Sequence, residues 1–246
     1  MFSQDKWRGA IYGLIILIII WYIVSMLVNL PIIPNPTIVF INLIQVFKAK
    51  IAIHVFYSLI RILEGIAIAL LIGVPLGLLM GYFEKWDKIL SPLLYFAYPI
   101  PKIALLPIIM VLFGLGEASK LIMIVLIIVF QIIITSRDAV RDIPDETFHS
   151  LQSLGASKLQ IIFEIIIPAT LSEILTSTRL ALGTAISILF FTETFGTEFG
   201  MGFFIMDSWM RINYLDMYSG IIVLSLIGFC LFIIIDMTER RLCSWR

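Results

Sequence analysis

The chain has 246 residues, of which 61% are hydrophobic and 14% charged, against about 45–50% and 25% in soluble domains. That balance excludes water as the main solvent of the fold. A bilayer core takes roughly 20 apolar residues per helix, which leaves room for roughly five to seven spans and for no large soluble domain. Seventeen Lys and Arg match 17 Asp and Glu, and no basic run points to a nucleic-acid partner.

Six apolar stretches read as membrane spans, over residues 10–30, 58–83, 91–113, 119–135, 171–195 and 217–235. The first is longer than a signal-peptide core and no small-residue cleavage site follows, so it reads as a retained anchor. Pro31, Pro34 and Pro36 end it, and an external loop with a short surface helix over 37–48 is expected next. In the second span Gly73, Gly77 and Gly81 recur at every fourth position, a face on which another helix can approach closely. Arg61 and Glu64 stand three apart, placed either to pair within that helix or to serve the transport pathway.

The third span contains Pro99, Pro101 and Pro107, with Lys102 among them. Irregular backbone at membrane depth is tolerated only where protein or a water-filled cavity covers it, so Pro101 and Lys102 are candidates for the pathway lining. Lys102 either draws an anion there or snorkels to water. Glu193 ends the fifth span, at an outer gate or in contact with water. With the N-terminus inside, ten basic residues (Lys6, Arg8, Lys85, Lys88, Arg137, Arg141, Lys158, Arg240, Arg241, Arg246) lie at cytoplasmic ends against four outside (Lys48, Lys50, Lys120, Arg211), as the positive-inside rule favours.

Between the fourth and fifth spans runs the longest polar stretch, within 137–168. Pro144 followed by Asp145 and Glu146 marks a helix start. Phe148, Leu151 and Leu154 then form one apolar stripe that stops at Gly155, and a second helix runs from Ala156 to Pro168. Two short amphipathic helices around a glycine corner read as a docking element, or as a connector lying on lipid headgroups.

Catalytic and metal signatures are missing. Cys230 and Cys243 have no partner spacing, and His54 and His149 fall on opposite sides of the expected membrane. The run Gly114 to Lys120 has the wrong spacing for a phosphate loop, and no H-E-x-x-H or G-x-S-x-G occurs. The chain therefore reads as no enzyme, and a transporter built on it takes its energy from a partner. A channel or secondary transporter with Glu64 and Glu193 as ion sites is the alternative.

Gly155, nine residues, then Ile165-x-Ile167-Pro168 resembles the second half of the E-A-A-x3-G-x9-I-x-L-P signature of importer permeases driven by ATP-binding cassettes, with Ile167 for Leu and His149, Ser150 and Leu151 at the E-A-A positions. The likeness covers nearly the whole chain and narrows to the nitrate, taurine and aliphatic-sulfonate type. It rests further on Ile33-Pro-Asn-Pro36, His54-x3-Ser58-Leu-x-Arg61, Gly73-Val-Pro-Leu-Gly77, Phe113-Gly-Leu-Gly116, Thr178-Arg-Leu-Ala-Leu-Gly183 and Glu193 with Gly200-x-Gly202. The resemblance implies an all-α membrane protein of about six transmembrane helices, with the type I importer permease fold and a cytoplasmic coupling helix. Its ATPase-coupling residues would be Glu146, Phe148, His149, Leu151, Leu154, Gly155 and Ala156. It further implies a homodimer in the cytoplasmic membrane with both termini cytoplasmic, two ATPase subunits that bind the ATP and Mg, and an extracytoplasmic solute-binding protein. No cofactor is expected in this chain. A small anion is the expected solute, although permeases for pyrimidine precursors of thiamine share the resemblance.

Overall fold

The computed structural model describes residues 4–243. Arg246, and the side chains of Lys6 and Arg8, which entered the charge count above, lie outside what it describes. Among the described residues all regular structure is helical.

Helix α1 (Gln4–Val28) stops at Asn29, whose φ of 46° is the left-handed stop that Asn tolerates. Asn35 then accepts a hydrogen bond from the Thr37 N–H at 2.9 Å and caps α2 (Pro36–Val46), with Pro36 in the first turn, where a missing N–H is harmless. No separate surface helix forms. Helix α2, a π turn (Phe47–Ile51) and α3 (Ala52–Tyr82) make one run of 47 residues. Neither Gly nor Pro occurs between Thr37 and Glu64 to interrupt it.

The small-residue face of α3 meets α6 (Glu117–Arg141) as expected. A Cβ on Gly65 would lie 2.6 Å from Ile124 Cγ2, one on Gly73 2.8 Å from Ile132 Cγ2, and one on Gly77 2.5 Å from the Ile133 carbonyl oxygen. The two helices thus touch along several turns, held by packing at close backbone approach. Around this pair the core continues through Ile66, Ile128, Leu182, Leu189 and Val223.

The third expected span is a bent pair. Helix α4 (Glu84–Ala97) and the run formed by a 3-10 turn (Lys102–Leu105) and α5 (Leu106–Phe113) meet at 80°. Pro99 and Pro101 remove two donors, so the helix does not continue past Tyr98, which itself keeps helical dihedrals (φ −61°, ψ −46°), whereas Pro107 sits harmlessly in the first turn of α5.

After α6 come α7 (Asp145–Ser153), α8 (Lys158–Ile161), a π turn (Ile162–Ile166) and α9 (Ile167–Glu193). From Lys158 to Glu193 the helix is continuous over 36 residues. Helix α10 (Met201–Met210) is short, and α11 (Tyr214–Leu242) returns across the molecule. Four runs are long and apolar enough to cross a membrane, five with the bent pair counted as one span, and the apolar part of α1 (Tyr12–Val28) is a shorter helix. Side chains such as Ile44, Leu71 and Val111 are at least 75% exposed on the flanks, as a hydrocarbon solvent allows.

Candidate functional site

Two places at opposite ends of the long helices hold most of the residues singled out in the sequence, and a third polar cluster pairs Arg179 of α9 with Asp236 and Glu239 of α11. At the α10 end, His54, Ser58 and Arg61 occupy positions i, i+4 and i+7 of α3 and so share one face. All three hold the segment after α9. His54 Nδ1 accepts the Gly200 N–H at 3.1 Å, Ser58 Oγ accepts the Met201 N–H at 2.8 Å, and Arg61 Nη1 donates to the Phe199 carbonyl at 2.7 Å. The spacing H-x3-S-x2-R therefore reads three consecutive residues of backbone.

Glu193 lies under this clasp. It was expected at a gate or in water, yet it is fully buried. Ser58 Oγ donates to it at 2.8 Å, Arg61 Nη1 at 2.7 Å and the Gly202 N–H at 2.8 Å. A buried carboxylate requires this degree of pairing, since an unpaired one would lose several kcal/mol of solvation. The two glycines are there because no side chain fits: a Cβ on Gly200 would stand 2.5 Å from Glu193 Oε1, and one on Gly202 2.8 Å from Glu193 Cβ. Gly200 also has a φ of 134°, which L residues rarely adopt.

Arg61 does not pair with Glu64, which is exposed. Its Nε and Nη2 clamp the two oxygens of Glu117, each at 2.5 Å, while Nη1 holds Glu193. The bidentate geometry is the one a planar guanidinium favours. Lys120, 1% exposed, donates to the Leu115 and Gly116 carbonyls at 3.0 and 3.1 Å, fixing the corner that presents Glu117. Two cations and two carboxylates thus balance in one cluster. Sequence reasoning missed Glu117 and Lys120, whose only signal was a position at the start of an apolar run.

Lys102 lies at the bend, at the start of the 3-10 turn. Its ammonium donates to the Ala97 and Tyr98 carbonyls at 3.2 and 2.9 Å and lies over the Phe130 ring, 4.6 Å from its centroid. It closes the end of α4 at the bend, while Pro101 is exposed at the start of the 3-10 turn.

At the other end, α7 lies across the ends of α3 and α6. Phe148 and Leu151 turn inward, half-buried against a cluster of Val140, Ile161, Ile165 and Ile166, with the Phe148 ring centroid 6.0 Å from that of Tyr82. The apolar stripe expected to face outward as one docking surface is therefore split. Only Leu154, 83% exposed, points away, because the stripe is the sole apolar material available to seat a short helix on the membrane body. Glu146 and His149 are exposed beside it, and Ala156 is half-buried. Gly155 takes a φ of 79° in a Schellman stop: its N–H binds the Gln152 carbonyl at 2.9 Å and the Ala156 N–H reaches the Leu151 carbonyl at 3.2 Å. Ser157 and Gln160 then form a reciprocal capping box at the start of α8. A cavity of about 360 Å³ lies behind α7, lined by Tyr82, Arg141, Asp145, Phe148 and His149 among others.

The chain matches the family of binding-protein-dependent transport system inner membrane components over residues 73–243. It is 30% identical to the taurine transport system permease protein TauC of Escherichia coli over 256 residues, covering 98% of this chain and 93% of that one. To the aliphatic sulfonates transport permease protein SsuC of Bacillus subtilis it is 27% identical, covering 98% of this chain and 90% of that one. In fold it is similar to a chain of the inward-facing MetNI methionine ABC transporter, with a TM-score of 0.69, 19% identity, and coverage of 77% of this chain and 94% of that one. With the helical architecture above, these likenesses leave no support for a channel or a secondary transporter, and the chain belongs to the binding-protein-dependent inner-membrane permeases, as a membrane-spanning subunit of an ABC importer of the nitrate, taurine and sulfonate type.

Proposed function

We propose that two copies of this chain, in the cytoplasmic membrane, form the path for a small organic anion of the sulfonate class, with two ATPase subunits docked on the α7 end. In this reading both termini and residues 142–157 are cytoplasmic, and a binding protein delivers the solute at the α10 end. ATP and Mg bind the ATPase subunits, and this chain acts as no enzyme and contacts lipid but no nucleic acid. The observation that carries the reading is the seating of α7 on the membrane body. Phe148 and Leu151 anchor it inward, the Schellman stop at Gly155 with Ala156 fixes its exit, and Glu146, His149 and Leu154 remain outside for a partner. The solute class is supported by the taurine and sulfonate relatives.

The test is a pair of substitutions in the co-expressed transporter. Leu154→Glu is expected to weaken capture of the ATPase subunit at least tenfold while leaving the thermal midpoint of the isolated permease within about 2 °C, since an exposed site changes stability little. Full capture and full uptake of labelled taurine in proteoliposomes with this variant would remove α7 as the docking element. Competition of taurine uptake by alkanesulfonates, and none by an uncharged pyrimidine, is the expected result for the solute.

A further inference from the structure

We propose that His54 is a positioning residue whose protonation releases the segment 194–200, so that the clasp at the α10 end senses the pH of the compartment it faces. The inference is independent of the solute and of the ATPase contacts. It begins with one hydrogen bond: His54 Nδ1 accepts the Gly200 N–H at 3.1 Å. A ring nitrogen that accepts carries no proton, whereas both nitrogens of an imidazolium are donors. Protonated His54 and the Gly200 N–H are thus two donors aimed at each other, and the clasped geometry is lost at that point.

The half-buried ring is seated among aromatic side chains. Phe199, Phe203 and Phe204 surround it, with centroids 6.1, 5.9 and 5.3 Å away. The charges on the elements around it are already engaged. On α10, Asp207 is held by Arg211 Nε at 3.0 Å. On α9, Glu193 is held by Arg61, itself the nearest cation along α3 on the same face, and on α11, Asp216 is held by Lys50 from the π turn at 2.9 Å.

Release of Gly200 reaches the rest of the clasp through sequence adjacency. Met201 and Gly202 follow directly and carry the bonds to Ser58 and Glu193, and Gly196, with a φ of 58°, keeps the same segment against Leu115 at the α5–α6 corner. The clasped form binds one proton fewer than the released form. Its stability relative to the released form is therefore constant above the ordinary imidazole value of about 6.5 and falls below it, by up to tenfold in the equilibrium constant per pH unit.

The assembled transporter in nanodiscs, spin-labelled at Glu198→Cys in a Cys230→Ser background, reads the segment directly, since Glu198 and Cys230 are exposed and Cys243 is buried. The label is expected to be immobilised at pH 8 and to gain a mobile fraction as pH falls below about 6.5. His54→Asn, whose amide oxygen accepts the Gly200 N–H without titrating, is expected to stay immobilised from pH 8 to 5, and His54→Ala to be mobile throughout. A wild-type label with no pH step, or an unchanged step in His54→Asn, overturns the proposal. The chain has two histidines, so 15N-histidine NMR on the wild type follows the same proton without any substitution at His54. Proton uptake at Nδ1 while the label stays immobile also overturns it.

Discussion

The α10 end and the α7 end are built by opposite means. At the α10 end a charge-balanced cluster is buried, and nearly every polar atom has a directed partner: Glu193 alone takes three donors while fully buried. At the α7 end, α7 itself meets the body through apolar, half-buried side chains and turns its polar groups outward, while Arg137 and Arg141 beside it pair with Asp87. The difference reflects solvent. Deep polar groups at the edge of a hydrocarbon layer are tolerated only when paired, so they specify one geometry. A helix on the water side can leave its polar face to solvent or to a partner and needs only a few side chains to hold it. The first design resists change and the second presents a surface.

Substitutions should separate the two ends by size of effect. Arg61→Ala removes the partner of a buried carboxylate and is expected to destabilise the permease by about 3–5 kcal/mol, read as loss of monodisperse protein or a large drop in the thermal midpoint. Adding Glu193→Gln should recover part of that loss, and a double variant no better than the single would break the view that charge pairing, rather than shape, holds this end. Gly155→Val forces a β-branched residue to a φ of 79° and is expected to cost about 1–3 kcal/mol, seen as protease nicking within 142–157 and loss of coupled uptake. Phe148→Ala, at a half-buried site, should cost about 1–2 kcal/mol, with hydrogen exchange of α7 rising before that of α3. Ser157→Ala removes one side of the capping box and should cost about 1 kcal/mol, confined to exchange at the start of α8. If any of the three α7-end variants unfolds the molecule as thoroughly as Arg61→Ala, the contrast between the ends fails.

Local patterns were legible in the sequence and long-range pairings were not. The recurrence of Gly73, Gly77 and Gly81 marked a helix contact because periodicity along one helix is a local property, and the α3–α6 seam uses that face. Pro144 and Gly155 marked the limits of α7 for the same reason, whereas Pro168, expected to end a second helix, lies inside the continuous run from Lys158 to Glu193, because a proline in a first helical turn breaks nothing. Arg61 was noticed, but the nearby Glu64 seemed the natural partner, while its real partners stand 56 and 132 positions away. Nothing in spacing can rank a partner three residues away below one that the fold brings from another helix. The Phe148, Leu151 and Leu154 stripe shows a related gap. Amphipathic spacing marks an apolar face and is silent on whether the chain's own body or another molecule covers it. The bent third span lay between these cases, with its prolines placing the break and only the structure giving its angle of 80°.

The unbroken run from Lys158 to Glu193 makes the two ends parts of one lever. Thirty-six residues at about 1.5 Å each extend about 54 Å, so a tilt of one degree about either end moves the other by about 1 Å. Slack in this strut is confined to its foot, where the π turn at Ile162–Ile166 and Pro168 interrupt regular hydrogen bonding. Above that hinge no Pro occurs and Gly183 is the single glycine, so the shaft is stiff up to the carboxylate that the clasp grips. A rotation imposed on the foot arrives at Glu193 as a displacement comparable to the tolerance of a hydrogen bond, enough to load or unload three donors at once.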